Sequence, residues 1–266
     1  MTEERTPHSM RILVGAGSFA DAAAALRLVE RLPSRFRKGL GGVLVEEVAT
    51  LATCQMPHQR IVMLSGATII PPGLDQLRTL MKADARAFRK SLARAAFPVG
   101  ADCVLAQDKG ELVGTALRAA ASWDILVIGY RQVHKIPGKI VVLEMVDQSS
   151  QTMKDVSEAL SHQLSTNRVV FSVGSRAEDK VDPPSAGEVR FARFEDALAA
   201  LTRTHAQAVL IDLSDGPVRT RGDLARLVEA ARCPVLVFGT SAADARLEHS
   251  TQIPPAAARD QGGAPP

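Results

Sequence analysis

Two glycine-bearing segments combine residue types suited to holding a phosphate. Gly15-Ala-Gly17-Ser18 follows the apolar run Arg11-Ile-Leu-Val14 and precedes Phe19, Ala22, Ala23, Leu26, Val29 and Leu32 at helical spacing. Gly129-Tyr-Arg131 follows the apolar run Asp124-Ile-Leu-Val-Ile128. Glycine lets an anion approach main-chain N–H groups, a helix N-terminus offers unpaired donors, Ser18 can cap and donate, and Arg131 can pair with phosphate oxygens. The same residues also serve as tight strand-to-helix turns with Ser18 as an ordinary cap. A different chemistry fits one of these segments: Gly15-Ala-Gly17-Ser-Phe-Ala20 satisfies G-x-G-x-x-A after a strand, a dinucleotide-binding signal, with Glu46 or Glu47 as the acid for a ribose hydroxyl. That alternative is a Rossmann-type dinucleotide-dependent enzyme. No nucleophile, base and orienting acid stand out as a set, so no catalytic residue is assigned and the chain reads as a non-enzyme.

Metal and redox chemistry find no pattern. Cys54, Cys103 and Cys233 are odd in number and far apart, which suits buried free thiols and neither a disulfide framework nor a metal knuckle. The six histidines are scattered without ligand spacing.

The elements that would position these residues alternate regularly. Strands are expected at 11–14, 43–45, 103–105, 124–129, 140–146, 168–173, 189–191, 208–212 and 234–238. Gly39, Gly41 and Gly42 are assigned to the connection before the second of them. Amphipathic helices are expected between many of them, including a long one from about Leu74 to Ala96 and others from about Gly110 to Ala121 and from Asp223 to Ala231. In the long helix Leu77, Met81, Phe88 and Leu92 form an apolar stripe, and Arg78, Lys82, Arg86, Arg89, Lys90 and Arg94 dominate the polar surface. That surface is either a solvated face or a dock for an acidic or phosphate-bearing partner. Residues 48–73 form an irregular excursion with a short strand at Ile61–Leu64, and Asp179 to Gly187 is a surface turn. Apolar strands separated by amphipathic helices imply parallel sheets covered on both faces.

The chain divides near residues 135–140, giving an N-terminal extension (1–10), a first α/β unit (11–138), a second, shorter one (139–240) and a disordered tail (241–266). Net charge is +3 from 32 basic and 29 acidic residues, which is not a nucleic-acid signature. The first ten residues lack the apolar run of a signal peptide, and no apolar stretch approaches the roughly 20 residues of a membrane span, so a cytoplasmic location is expected.

Ile12-Leu-Val-Gly-Ala-Gly-Ser18 resembles the I-L-V-x-V-D-G-S opening of the universal stress protein family, with Ala16 at the adenosine-contacting Asp. Asp124-Ile-Leu-Val-Ile-Gly-Tyr-Arg131 is similar to the family's D-L-I-V-M-G-x-R-G segment, with Gln132 in place of the next Gly. Val146-Asp147-Gln148-Ser149 looks like a second V-D-G-S, and Ala208–Asp212 with Cys233–Phe238 looks like the family's closing unit. The resemblance implies two tandem parallel-sheet units of Rossmann-like topology and a regulatory or stress-response role through protein contacts. Parallel sheets with exposed edges need protection, so self-association, internal or between chains, is expected through an apolar strand edge or the helices beside it, with the halves packed as a pseudo-dimer. The resemblance further implies ATP or AMP bound weakly at Gly15, Gly17, Ser18, Gly129 and Arg131 with Asp147 and Ser149. It leaves open whether Ile140–Leu143 closes the first sheet or opens the second. Asp212-Leu-Ser-Asp-Gly-Pro217 places carboxylates where the second half would hold phosphate.

Overall fold

Strands such as Ile125–Ile128 and Val235–Phe238 are buried at every position, so both faces of their sheet need cover. The computed structural model provides it as three layers, and describes residues 10–47, 61–62, 68–69, 73–100, 103–131, 137–174 and 187–242. In chain order the principal elements are β1 (Arg11–Ala16), α1 (Phe19–Arg31), β2 (Gly39–Glu47), β3 (Ile61–Val62), β4 (Thr68–Ile69), α2 (Leu74–Ala96), β5 (Cys103–Gly110) and α3 (Leu112–Ala119). There follow β6 (Ile125–Ile128), β7 (Lys139–Met145), α4 (Gln151–Leu164), β8 (Arg168–Val173), β9 (Glu188–Phe191), α5 (Phe194–Arg203), β10 (Ala206–Asp212), α6 (Arg221–Ala231) and β11 (Val235–Phe238). The pair β3·β4 is a separate antiparallel ribbon.

The other nine strands form one sheet in the order β5-β2-β1-β6-β11-β10-β7-β8-β9. All neighbours are parallel except β6 and β11, which pair antiparallel through Val235 opposite Ile128 and Phe238 opposite Ile125. A continuous mixed sheet therefore replaces the two separate parallel sheets expected. The physical reason lies in β6: its four residues are fully buried, and the strand has β1 on one side only, so its second edge must be paired. β7 sits between β10 and β8, which places Ile140–Leu143 in the second parallel set.

One face is covered by α1, α2 and α4 and the other by α3, α5 and α6, each over its own apolar cluster. On the first face Phe88 and Leu92 of α2 are wholly buried, as the stripe predicted. Gly41 and Gly42 lie inside β2, not in the connection before it. A Cβ on Gly42 would stand 2.7 Å from Phe88 Cζ, and one on Gly41 would stand 2.6 Å from Trp123 Cζ2 on the opposite face. These glycines are strand residues made small by large neighbours, which is why their turn-like composition misled. β5 is longer than expected and α3 starts later, at Leu112, because the Glu111 carboxylate accepts the N–H groups of Val113 and Gly114 and fixes the helix start. Residues 1–9 of the N-terminal extension, Cys54, the turn from Asp179 up to residue 186 and the tail beyond residue 242 lie outside the described residues.

Cys233 is buried as expected and its thiol is pushed up to about 12 by burial, whereas Cys103 is only partly covered. Burial also raises the Cys103 thiol, with Arg89 opposing it. In a Cys54→Ser variant, native protein treated with a maleimide is expected to gain one label, at Cys103, with Cys233 labelled only after denaturation. Mass spectrometry of the intact and digested protein reads this directly.

Candidate functional site

The carboxyl ends of β1, β2 and β6 open on a cleft of about 590 Å³. Its apolar walls come from Leu77, Leu80 and Met81 of α2, Leu112 and Val113 of α3, and Tyr130. Gly17, Ser18 and Gly129 line it, together with five carboxylates, Asp21, Glu47, Asp84, Glu111 and Glu229, and no Lys or Arg among the described residues.

Three of the main-chain donors around the turn are already taken, those of Phe19, Asp21 and Arg131. Ser18 caps α1 by accepting the Asp21 N–H, and the Phe19 N–H donates to Asp84 Oδ2 at 2.9 Å. Asp21 Oδ1 accepts the Arg131 N–H at 2.7 Å, so Arg131 enters the site through its main chain. Glu111 occupies the N-terminus of α3 in the same way. An anion arriving here must displace a carboxylate that is tethered to the chain, and it meets like charge from the others.

Gly17 and Gly129 stand in the turns after β1 and β6, and two of the glycines also serve packing. Gly15 belongs to β1, where a Cβ would come within 2.8 Å of Ala116 Cβ; it seats α3 on the sheet and does not form the turn. Gly129 donates its N–H to Gly15 O at 2.7 Å, and a Cβ there would lie 2.6 Å from the Asp21 carbonyl oxygen. Of the dinucleotide signal, one element holds its place: the Glu47 carboxyl stands 3.9 Å from where a Gly17 Cβ would be, at the end of β2. Glu46 instead pairs with Lys109.

The second set of strands presents its carboxyl ends at the opposite edge of the sheet, because β11 runs against β6. There a cavity of about 440 Å³ is lined by Glu144, Gln148, Ser149, Ser150, Asp212 and Asp215 among others. Burial raises the Glu144 carboxyl above its ordinary range, with the Ser149 hydrogen bond and Lys154 opposing. Ser150 caps α4, and Asp212 Oδ1 accepts the Ser214 N–H at 2.8 Å. Ser149 is thus in the cavity. Asp147 is exposed in the preceding turn, in left-handed backbone (φ 65°), and does not line it. Asp147 and Ser149 are therefore not brought together with Gly17, Ser18, Gly129 and Arg131: the antiparallel joint separates them by the length of the strands.

Sequence reasoning missed Asp21, Asp84, Glu111, Glu144 and Glu229. Asp84 carried a signal, as an acid in the most basic helix of the chain. Among the described residues no group of three or more His, Cys, Asp and Glu could hold a metal ion, and no helix is long and apolar enough to cross a membrane.

No family model and no curated protein matches the chain. Among solved structures it is similar to a universal stress protein from Archaeoglobus fulgidus, at 10% identity and a TM-score of 0.47, over 86% of this chain and 96% of that one. A putative universal stress protein from Pseudomonas aeruginosa matches at 8% identity and a TM-score of 0.43, over 90% of this chain and 97% of that one. A universal stress protein family protein from Arabidopsis thaliana with AMP bound matches at 12% identity and a TM-score of 0.28, over 66% of this chain and 99% of that one.

Proposed function

We propose that this is a non-catalytic regulatory protein of the universal stress type, acting in the cytoplasm through protein contacts. Its two parallel units, 11–138 and 139–240, are joined as an internal pseudo-dimer. The observation that carries the ligand side of this reading is the Asp84 carboxylate on the Phe19 N–H, at the helix end that would otherwise receive phosphate. The cleft suits the neutral part of an adenine nucleotide: apolar walls for a base and Glu47 beside Gly17 for ribose hydroxyls. It does not suit the phosphates.

Adenosine is therefore expected to bind more tightly than AMP, and AMP more tightly than ATP. Each charge-assisted contact denied is worth about 1.5–3 kcal/mol, or roughly ten- to a hundredfold in affinity. Calorimetric titration of nucleotide-free protein with the three ligands, paired with a phosphate-release assay, tests this. A submicromolar ATP site, or ATP turnover, would overturn the reading.

A further inference from the structure

Strand β5 is an edge of the sheet: among the described residues it pairs with β2 alone, over its whole length. Edge strands are commonly shortened, bulged or guarded by inward charge or Pro. β5 has eight residues and no Pro, and its charges, Asp108 and Lys109, stand together near its carboxyl end, where they pair with Arg118 and Glu46. Its two faces differ. Cys103 and Leu105 pack toward α2, and Gln107 lines a cleft of about 190 Å³ with Lys82, Arg86 and Arg89. On the other face Val104 is 62% exposed and Ala106 is exposed beside it.

The three cations recur at the i, i+4 and i+7 positions of one helix face, and none has an acidic partner among the described residues. Arg86 donates only to the Lys82 carbonyl, at 3.3 Å. The two acids of α2 are engaged elsewhere, Asp75 with Arg78 and Asp84 at the α1 terminus. Lys82 to Arg86 is a rise of about 6 Å and Arg86 to Arg89 about 4.5 Å, against roughly 6.7 Å between alternate residues of a strand, a difference that side chains as long as Lys and Arg span.

We infer that β5 is a docking edge for an extended acidic protein segment in which carboxylates alternate with apolar side chains. The segment's main chain extends the sheet, its carboxylates meet Lys82, Arg86 and Arg89 along the α2 side, and its apolar side chains lie beside Val104 and Ala106. Period-two alternation in the ligand follows from the two-faced edge. A nucleic acid would use the cations but neither the strand edge nor Val104. The inference deepens the protein-contact reading and rests on it. It concerns a surface apart from the cleft, so its failure leaves the nucleoside ranking untouched, and ATP turnover would overturn the ligand reading without touching β5.

The test uses the full chain and a fluorescein-labelled Glu-Val-Glu-Val-Glu-Val peptide, with anisotropy as the readout. Binding is expected, weakened roughly tenfold or more in the triple variant Lys82→Glu, Arg86→Glu, Arg89→Glu, whose exposed positions leave the circular dichroism spectrum unchanged. The same peptide N-methylated at alternate amides, which needs no protein variant, is expected to lose binding to a similar extent. Absence of peptide binding, equal binding of the N-methylated peptide, or an oligothymidylate that binds more tightly than the peptide and displaces it would each overturn the proposal.

Discussion

Gly129→Ala is expected to destabilise the protein by about 3 kcal/mol, the upper end for overpacking a well-filled site. The added methyl would lie 2.6 Å from the Asp21 carbonyl oxygen and 2.8 Å from its carbonyl carbon. Both are main-chain atoms in the first turn of α1, so no rotamer change relieves the contact. Either α1 moves away from β6 or β6 gives up the 2.7 Å hydrogen bond from Gly129 to Gly15. For a chain of this size the loss corresponds to roughly 6–12 °C in melting temperature. Gly222→Ala is the contrasting variant. Its methyl would meet nothing nearer than Thr220 Oγ1 at 3.6 Å, inside α6, and a stabilisation of about 0.5–1 kcal/mol is expected from helix propensity. Thermal denaturation of the two variants beside the parent decides the matter; equal melting temperatures would mean that Gly129 has room the geometry denies.

The second large effect is expected at Asp84. Asp84→Ala removes a charged acceptor from the Phe19 N–H and leaves Asp21 as the one carboxylate bonded at the α1 terminus among the described residues, a loss of about 2 kcal/mol. The vacated terminus is then a better place for an external anion. Inorganic phosphate is expected to raise the melting temperature of Asp84→Ala and to leave that of the parent unchanged, by the mass-action stabilisation that accompanies binding to the native state. Asp84→Asn, which keeps an acceptor but no charge, should fall between the two. An identical phosphate response in parent and variant would show that the carboxylate does not occupy an anion site.

The order of strands and helices could be read from the sequence because it rests on short-range signals: runs such as Ile125–Ile128, stripes such as Phe88 and Leu92, and caps such as Ser18. What was hidden depended on pairs distant in the chain. Gly41 and Gly42 looked like turn residues until Trp123 and Phe88 were seen against them. The two halves looked like two sheets, since nothing in β6 or β11 alone announces that they will pair. At the cleft, Gly17, Ser18 and Gly129 belong to local motifs, whereas its acids come from α1, β2, α2, the cap of α3 and α6, and only the fold gathers them. Asp147 was placed by motif similarity, and its left-handed turn carries it out of the cavity that Ser149 enters.

The antiparallel joint also has a consequence for synthesis. A nascent chain that has emerged through β6 holds a fully buried strand with one edge uncovered, and its partner is residues 235–238, close to the end of the described chain. At about 5–20 residues per second, that edge waits roughly 5–20 s for β11. During this interval the first half is a folded or partly folded body with an exposed hydrophobic edge, the kind of surface that recruits holdase chaperones or pairs with a neighbouring nascent chain on the same polysome. Among the described residues, the last strand made is thus the one that ends the vulnerability of the first half.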